Sequence, residues 1–341
     1  MTTTTDYLVR RLEPEDEPRV RDLLGAALAG GPTGERTSEF FRWKHRTSPF
    51  GSSPGLVACV DDRIVGLRLF LRWEFRAGGR TVRAVRPVDT ATHPDHQGRG
   101  IFRRLTTQLV DELNGEADLI FNTPNANSLP GYLRMGWQSV GIMPVLIRPV
   151  DWSAFARGFR SAGHGQAPGD VAARCPLQAA ALVFDDPRLP LLLGAAAAGP
   201  EETRLHTHRS LDFLRWRYAQ APGLDYRVIT AESGSDLDGV AFGRLRRRGV
   251  LLEFTLADVI TRPGDVSTAR RLLRAARRSG CHHVATHLAP ATAARSAART
   301  TGFMRAPGTG MHLVARPLTP VRPDPLSPQS WRLALGDLEV F

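Results

Sequence analysis

A glycine-rich turn in the first half of the chain is the segment best suited to chemistry. It reads Gln97-Gly98-Arg99-Gly100-Ile101-Phe102 and joins the end of an apolar strand to the start of a helix. At such a junction the first backbone N–H groups of the helix lack partners, and the helix dipole places positive charge there. Glycine lets a ligand approach the backbone without meeting a Cβ, and Arg99 adds a cation. The turn predicts a site for a phosphorylated cofactor; the alternative is that its glycines serve tight packing alone.

The elements that position this turn follow from hydrophobic periodicity. Residues Thr81 to Thr92 form a predicted long strand that leads into the turn. The helix after it is predicted from Gly100 to Asn114, because apolar residues recur every four positions until Gly115. The other predicted elements of this half are a strand at Tyr7–Arg11, an amphipathic helix at Pro14–Ala29 and a buried strand at Leu119–Phe121.

An internal repeat organises the chain. Phe40-Phe41-Arg42-Trp43-Lys44-His45 aligns with Phe213-Leu214-Arg215-Trp216-Arg217-Tyr218, and Gly66 aligns with Gly239 at the same spacing. Each aromatic-basic segment is a predicted helix whose tryptophan either lines a cleft or anchors a core. The strands predicted after these helices are Leu56–Val60 and Ile64–Leu71 in the first copy and Tyr226–Ala231 and Val240–Leu245 in the second.

A length of 341 residues suits two domains of ordinary size. We predict a first domain over residues 1–150, a connector over 151–180 and a second domain over 181–341. Within the connector, Ala154–Gly169 lacks an apolar period and is interpreted as a linker or mobile loop. Leu189–Gly199 is predicted to be a buried helix. Alternating strands and helices predict the α/β class.

Composition excludes several classes of protein. The formal charge of +11 suits an anionic partner, but it comes almost wholly from arginine, with Lys44 the sole lysine, and we do not predict nucleic-acid binding. Three scattered cysteines fit neither a disulfide framework nor a zinc site, and Cys281-His282-His283 lacks a second ligand pair, so no metal is expected. Without a secretory signal or an apolar stretch of about 18–20 residues, we expect a cytoplasmic protein that avoids membranes. The sequence leaves the oligomeric state open.

The segment Thr90 to Ile101, with its Gln97, Gly98 and Gly100, resembles the acyl-CoA-binding signature of the GNAT superfamily of N-acetyltransferases. Phe102 stands where that family has a small residue. The resemblance implies acetyl-CoA or another acyl-CoA as the donor, held by the strand end and the turn. The implied cofactor-binding residues are Thr90, Ala91, Thr92, Gln97, Gly98, Arg99, Gly100, Ile101, Phe102, Asn125 and Ser128.

A second motif supports the first. Asn125, Ser128, Tyr132 and Gly136 correspond to the family's N-x-x-A-x-x-x-Y-x-x-x-G segment. The resemblance implies that Tyr132 is the general acid that protonates the leaving thiolate; the alternative is a helix tyrosine that packs against Trp137.

For the general base the candidate is Asp89, although a surface carboxylate is an equal interpretation. His93 and Asp95 are weaker candidates, and a water can carry the proton instead.

The resemblance implies two tandem GNAT-like domains, each a mixed, mostly antiparallel sheet flanked by helices. It implies an N-acyltransferase that moves an acetyl or other short acyl group to an amine of a small metabolite or peptide by direct attack. The second copy lacks the site, since Arg262-Pro263-Gly264-Asp265 replaces the turn and Ala298 replaces the tyrosine. One alternative is a Fem-type transferase that uses aminoacyl-tRNA, and another is a binding protein with this fold and no catalysis.

Overall fold

The structure is a computed structural model that describes residues 7–28, 37–160, 169–170, 174–197 and 203–338. The strands are β1 (Leu8–Arg11), β2 (Gly55–Val60), β3 (Arg63–Ala77), β4 (Arg80–Thr92), β5 (Leu119–Asn122), β6 (Gln138–Met143), β7 (Leu146–Pro149), β8 (Gly169–Asp170), β9 (Gln178–Ala179), β10 (His206–Thr207), β11 (Arg227–Ser233), β12 (Asp236–Arg248), β13 (Leu251–Thr261), β14 (His283–Thr286), β15 (Met304–Arg305) and β16 (Met311–Pro317). The α-helices are α1 (Glu17–Leu28), α2 (Ser38–Arg46), α3 (Ile101–Glu112), α4 (Leu129–Arg134), α5 (Trp152–Arg160), α6 (Arg188–Ala197), α7 (Leu211–Tyr218), α8 (Val266–Ala275), α9 (Ala293–Thr300) and α10 (Leu335–Leu338). Short 3₁₀ turns lie at Pro14–Asp16, Pro94–His96, Ala180–Asp185, Ala276–Ser279 and Pro328–Ser330.

The first compact unit comprises Met1–Phe75, Thr81–Val140 and Leu313–Leu326. Its sheet has the strand order β1-β2-β3-β4-β5-β16-β6. The pairs β1–β2, β2–β3 and β5–β16 are antiparallel, whereas β4 and β5 run parallel. A single parallel step inside a mostly antiparallel sheet needs a crossover, and α3 supplies it between β4 and β5.

The second compact unit comprises Arg76–Arg80, Gly141–His312 and Ser327–Phe341. Its sheet has the order β9-β11-β12-β13-β14-β7-β15, and the pair β13–β14 is parallel. Helix α8 is the crossover that corresponds to α3. The two sheets therefore share one topology, which confirms the predicted fold of two mixed, mostly antiparallel sheets flanked by helices.

The penultimate strand of each sheet comes from a distant part of the sequence. In the first sheet β16 pairs with β5, with Val314 opposite Asn122, and in the second β7 pairs with β14, with Ala285 opposite Ile147. These strands place residues 313–326 in the first unit and residues 141–150 in the second. The compact units thus differ from the contiguous ranges 1–150 and 181–341, because sequence periodicity does not show which sheet a strand joins.

Close helix–strand packing at two equivalent glycines supports the internal repeat. A Cβ on Gly66 would lie 2.5 Å from Cγ2 of Ile101 and 3.3 Å from Cδ1 of Leu105, and one on Gly239 would lie 2.7 Å from Cγ2 of Thr268. Only glycine lets α3 and α8 approach their sheets this closely. The buried face of α3 then contributes Ile101, Leu105 and Leu109 to the core of the first unit, as the four-residue period predicts.

The aromatic-basic segments form helices, as predicted. Helix α2 begins after Thr37, whose hydroxyl oxygen accepts a hydrogen bond from Phe40 N at 3.1 Å, and α7 begins after Ser210 in the same way. Trp43 and Trp216 are buried within these helices. The structure therefore favours the interpretation of both tryptophans as core anchors.

The linker or loop predicted at Ala154–Gly169 was wrong over its first residues, because Trp152–Arg160 forms α5. Asp151 caps this helix, because its Oδ1 accepts a hydrogen bond from Ala154 N at 2.9 Å. The Ala- and Gly-rich composition concealed this local signal. Residues 161–168 lie outside the described residues. The helix predicted at Leu189–Gly199 is confirmed as α6, whereas its predicted burial is not: Leu189 and Leu192 are buried, but Leu191 is 75% exposed. The last two residues of the predicted helix lie outside the described residues.

Within the described ranges, no helix combines the length and apolar character needed to cross a bilayer. The three cysteines are buried, free thiols. The described residues also hold no cluster of three or more His, Cys, Asp or Glu side chains suited to a metal ion.

Candidate functional site

The glycine-rich turn opens α3 in a left-handed backbone conformation. Gly98 and Gly100 have φ of 72° and 78°, which side-chain-bearing residues rarely adopt. A Cβ at either position would meet no heavy atom within 4 Å, so the space beside the turn is open. Across the described chain, no acceptor is found for the N–H groups of Gly98, Gly100, Ile101 and Phe102. The turn thus presents several backbone donors and the positive end of α3 to one open space.

Hydrogen bonds to the end of β4 and to Tyr7 hold the turn in place. Gln97 Nε2 donates to the carbonyl oxygen of Thr92 at 3.4 Å, and Arg99 Nη1 donates to Tyr7 Oη at 3.4 Å. Tyr7 Oη also lies 3.1 Å from Nδ1 of His96. Burial, and then the charge of Arg99, lower the pKa of His96, which favours the neutral imidazole. The fixed positive charge at the turn therefore comes from Arg99 and the helix dipole.

The end of β4 borders an opening in the sheet. The parallel pairing of β4 with β5 covers Ala84–Val85, and β4 then continues to Thr92. His93 N donates to Val65 O at 2.9 Å, on the β3 side. Because hydrogen-bonding direction alternates along a strand, the backbone N–H groups of Thr90 and Thr92 face the opposite edge, where β5 diverges. Ala91, between them, is buried, and by the same alternation its backbone N–H faces β3. Donors suited to a carbonyl oxygen thus line this opening.

Tyr132 lies beside the start of α3. Its ring is 5% exposed and makes edge contacts with Phe102 at 5.8 Å and Trp137 at 5.2 Å between ring centroids. Phe102, where the family has a small residue, therefore packs against the predicted acid instead of obstructing the turn. The structure brings the turn and Tyr132 together through this contact.

Arg68, which sequence reasoning missed, completes the cluster. Its Nη2 donates to Tyr132 Oη at 3.0 Å, and its Nη1 donates to Thr90 Oγ1. The guanidinium also lies over the rings of Phe70, Phe102 and Tyr132 at 4.8–5.3 Å. One cation thus connects the end of β4, the start of α3 and the predicted acid. The available signal was a basic residue at the centre of the apolar run Ile64–Leu71.

The environment of Arg68 is unusual for a charged side chain. It is fully buried, and burial lowers the pKa of its guanidinium. Among the described residues, no carboxylate forms an ion pair with Arg68, and the Nε atom of Arg68 has no hydrogen-bond partner. An unpaired charge in a low-dielectric site is costly, and such costs concentrate where function requires them. Arg68 is therefore a candidate functional residue.

Asn125 and Ser128 lie at the start of α4, the helix that carries Tyr132. Oδ1 of Asn125 accepts hydrogen bonds from the backbone N of Asn127 and Ser128 at 3.1 and 2.9 Å, and from Ser128 Oγ at 3.0 Å. These bonds fix the first turn of the helix. In this geometry both residues position Tyr132, and their contact with a cofactor stays a prediction.

Asp89 precedes Thr90 on β4 but contacts a different element, the helix α2. Its Oδ2 is 2.8 Å from Lys44 Nζ and 2.8 Å from His45 Nε2, and its side chain is 5% exposed. His45 Nδ1 continues the chain of contacts to Ser53 Oγ at 3.0 Å. Asp89 also has a positive φ of 42°, which marks a local irregularity in β4. The interpretation of Asp89 as general base stays a prediction, and these contacts favour a structural role that ties α2 to β4.

The weaker candidates for the base lie on the surface turn before the glycines. His93 Nδ1 accepts from the backbone N of Asp95 at 3.4 Å, and the side chain of Asp95 is 83% exposed. A solvated turn fits both residues, as expected for the start of a 3₁₀ segment.

The second unit has the same framework with different residues. Helix α8 begins after Asp265, whose Oδ1 accepts from Thr268 N at 2.8 Å. Burial would raise the pKa of Asp265, but the hydrogen bonds from Thr268 and Ser267 lower it overall. The N-terminal end of α8 is thus occupied by the protein's own carboxylate. Ala298 and Ala241 stand in the positions of Tyr132 and Arg68.

This combination of topology, open helix start and strand opening is typical of a GNAT domain. Residues 8–140 match the family model described as acetyltransferase (GNAT) domain. The first unit is therefore similar to a GNAT domain over these residues, and over the rest of the chain the likeness is one of fold.

Solved structures extend the likeness to both units. A GCN5-related N-acetyltransferase from Anabaena variabilis is 13% identical with a TM-score of 0.64, over 92% of this chain and 73% of that one. A probable N-acyltransferase of unknown function from Enterococcus faecalis is 12% identical with a TM-score of 0.61, over 92% and 73%. Eis1 from Mycobacterium abscessus is 15% identical with a TM-score of 0.54, over 92% and 74%. At these identities the likeness shows the fold alone. No curated protein matched the sequence.

Proposed function

We propose that the first unit binds an acyl-CoA at the start of α3 and transfers its acyl group to an amine of a small metabolite or peptide. The GNAT fold supports acyl transfer in general. The observation that carries the finer proposal is the start of α3, where the backbone N–H groups of Gly98, Gly100 and Ile101 have no acceptor among the described residues and suit a diphosphate. Acyl-CoA would supply an acyl group activated as a thioester.

The residues present fit this donor. The backbone N–H groups of Gly98, Gly100 and Ile101 would bind the diphosphate, with Arg99 as a nearby cation. The N–H groups of Thr90 and Thr92, at the opening between β4 and β5, would hold and polarise the acyl carbonyl. Both sets of donors lie on rigid elements, which lowers the cost of orienting them.

Tyr132 supplies the proton in the proposed reaction. Because its oxygen accepts a hydrogen bond from Arg68, its own O–H hydrogen is free to point elsewhere. As the amine forms the C–N bond and the C–S bond breaks, Tyr132 donates this proton to the departing sulfur. The charge of Arg68 then stabilises the tyrosinate until it regains a proton. The amine loses its proton to a base, either Asp89 or a water.

The proposal is tested by measuring thiol release from acetyl-CoA with a panel of small amines and peptide N-termini. Acceptor-dependent release, together with saturable acetyl-CoA binding by isothermal titration, is the expected result. Absence of acetyl-CoA binding would overturn it.

Ribonuclease treatment of the assay distinguishes this proposal from an aminoacyl-tRNA-dependent transferase. Activity with purified acetyl-CoA should be insensitive to ribonuclease. Activity that appears only with charged tRNA, and disappears after ribonuclease treatment, would favour the Fem-type alternative instead.

A further inference from the structure

The second unit contains a cleft whose charged side chains are all cations. It has a volume of about 710 Å³ and lies where β7, β11, α8 and the 3₁₀ turn after α8 meet. Five arginines line it: Arg148, Arg271, Arg274, Arg277 and Arg278. The remaining lining residues are small or apolar, among them Val150 and Ala231. The acyltransferase proposal gives this cleft no role.

The arginines of the cleft are poorly neutralised. Arg271 reaches Asp238 at 3.5 Å, but the ion pairs of the described chain include none formed by Arg148, Arg274, Arg277 or Arg278. Other arginines on the chain pair closely, such as Arg83 with Asp118 at 3.0 Å and Arg188 with Asp186 at 2.8 Å. Positive charge is therefore concentrated in this cleft, and four of its five arginines lack the acidic partners found elsewhere in the described chain.

Arg148 shows that this concentration is costly. Its Nη1 is buried and has no hydrogen-bond partner within the described residues. Burial, and then the charges of Arg277 and Arg274, lower the pKa of its guanidinium. An unpaired buried donor is destabilising, and so is the repulsion among three neighbouring cations. A bound anion would relieve both.

We propose that this cleft binds a small ligand with two or more phosphate groups and a compact apolar or aromatic part, of the nucleoside polyphosphate class. Planar guanidinium groups bind phosphate oxygens in pairs, and several of them can share a polyphosphate. The apolar lining at Val150, Ala231 and Ala275 gives a surface for a base. The volume lies within the range of about 300–1,000 Å³ typical of small-molecule sites. The site is independent of the donor site in the first unit.

The test is isothermal titration of the full chain with ATP, inorganic pyrophosphate and AMP. We expect ATP and pyrophosphate to bind, with AMP clearly weaker. The double variant R274Q/R277Q should weaken ATP binding about ten-fold or more, because it removes two charge-assisted contacts. The matched control R270Q/R299Q removes the same charge from α8 and α9 outside the cleft lining and should leave ATP binding unchanged.

Three outcomes would overturn the proposal: no binding of ATP or pyrophosphate to the wild type, equal weakening by both double variants, or a single-stranded RNA that binds far more tightly than ATP and displaces it. The variant G100D separates this site from the donor site. It should retain ATP binding, and loss of ATP binding in G100D would assign the nucleotide to the start of α3 instead.

Discussion

The starts of α3 and α8 occupy equivalent places in two copies of one fold, yet only one is open. In the first unit the backbone N–H groups of Gly98 and Gly100 have no acceptor among the described residues. In the second, Asp265 supplies a carboxylate that accepts from Thr268 N. A helix start binds an anion from solution only when the protein does not provide one itself. The difference indicates that the proposed donor site depends on the absence of a cap, on a scaffold that both units share.

The same comparison separates residues that support the fold from residues to which the proposed function assigns a chemical role. Asp89 and Asp258 take equivalent places on β4 and β13, and each contacts the helix before it, through His45 and Tyr218 respectively. Both units thus keep this contact. Arg68 and Tyr132, in contrast, are both alanine in the second unit, at positions 241 and 298. A pair that is present or absent together suggests one joint function.

The largest effect is expected from Tyr132→Phe. Removing the proton donor should lower kcat by about 100-fold or more, the usual contribution of a general acid, with acetyl-CoA affinity nearly unchanged. Steady-state kinetics and titration calorimetry measure the two quantities. Tyr226→Phe is the matched control, because Tyr226 is also a buried tyrosine that accepts from an arginine, Arg217, but in the second unit. Equal activity of Tyr132→Phe and the wild type would remove the acid role.

Asp89→Asn tests the shared contact. Replacing the carboxylate beside buried Lys44 should lower the free energy of unfolding by about 3–5 kcal/mol, as breaking a buried ion pair does. Asp258→Asn should destabilise the protein in a similar way, because Asp258 pairs with Arg209 at 2.7 Å. Urea unfolding measures both. If Asp89→Asn instead kept the wild-type stability and lost turnover at temperatures where it is folded, Asp89 would be the general base.

Gly100→Asp closes the open turn by imitating the second unit. A carboxylate facing the donor amides should weaken acetyl-CoA binding about 100-fold, because juxtaposed like charges cost several kcal/mol. Gly264→Asp is the control: Gly264 has a φ of 75° and, like Gly100, no heavy atom within 4 Å of a Cβ. It should leave binding unchanged. Unaltered binding to Gly100→Asp in a titration would place the diphosphate elsewhere.

Sequence patterns revealed the scaffold well and the site in part. The four-residue period of α3, the glycine turn and the repeat around Trp43 and Trp216 all predicted elements that the structure contains. Each depends on local spacing, which sequence shows directly. The places of β7 and β16 depend on distant pairing, which local spacing does not record.

Arg68 shows the same limit inside the site. Its residue type and its place in β3 were visible, but its contacts reach residues 22 and 64 positions away. The cluster of Thr90, Phe102 and Tyr132 around it forms only after the sheet and two helices pack. Similarly, Asp89 was identified as ionisable, whereas its partners on α2 became apparent only in the structure.

Arg68→Met gives the smallest expected effect and the sharpest distinction between chemistry and folding. Loss of the hydrogen bond to Tyr132 should lower kcat about ten-fold, the usual worth of one charge-assisted hydrogen bond. Because Arg68 is buried without a carboxylate partner among the described residues, its replacement by an apolar side chain of similar length should not lower the melting temperature. Arg68→Lys should retain part of the activity through its single cation. If Arg68→Met lowers kcat and leaves the melting temperature unchanged, Arg68 has a positioning role. If the variant loses much stability but its folded fraction keeps the normal kcat, Arg68 is a structural residue.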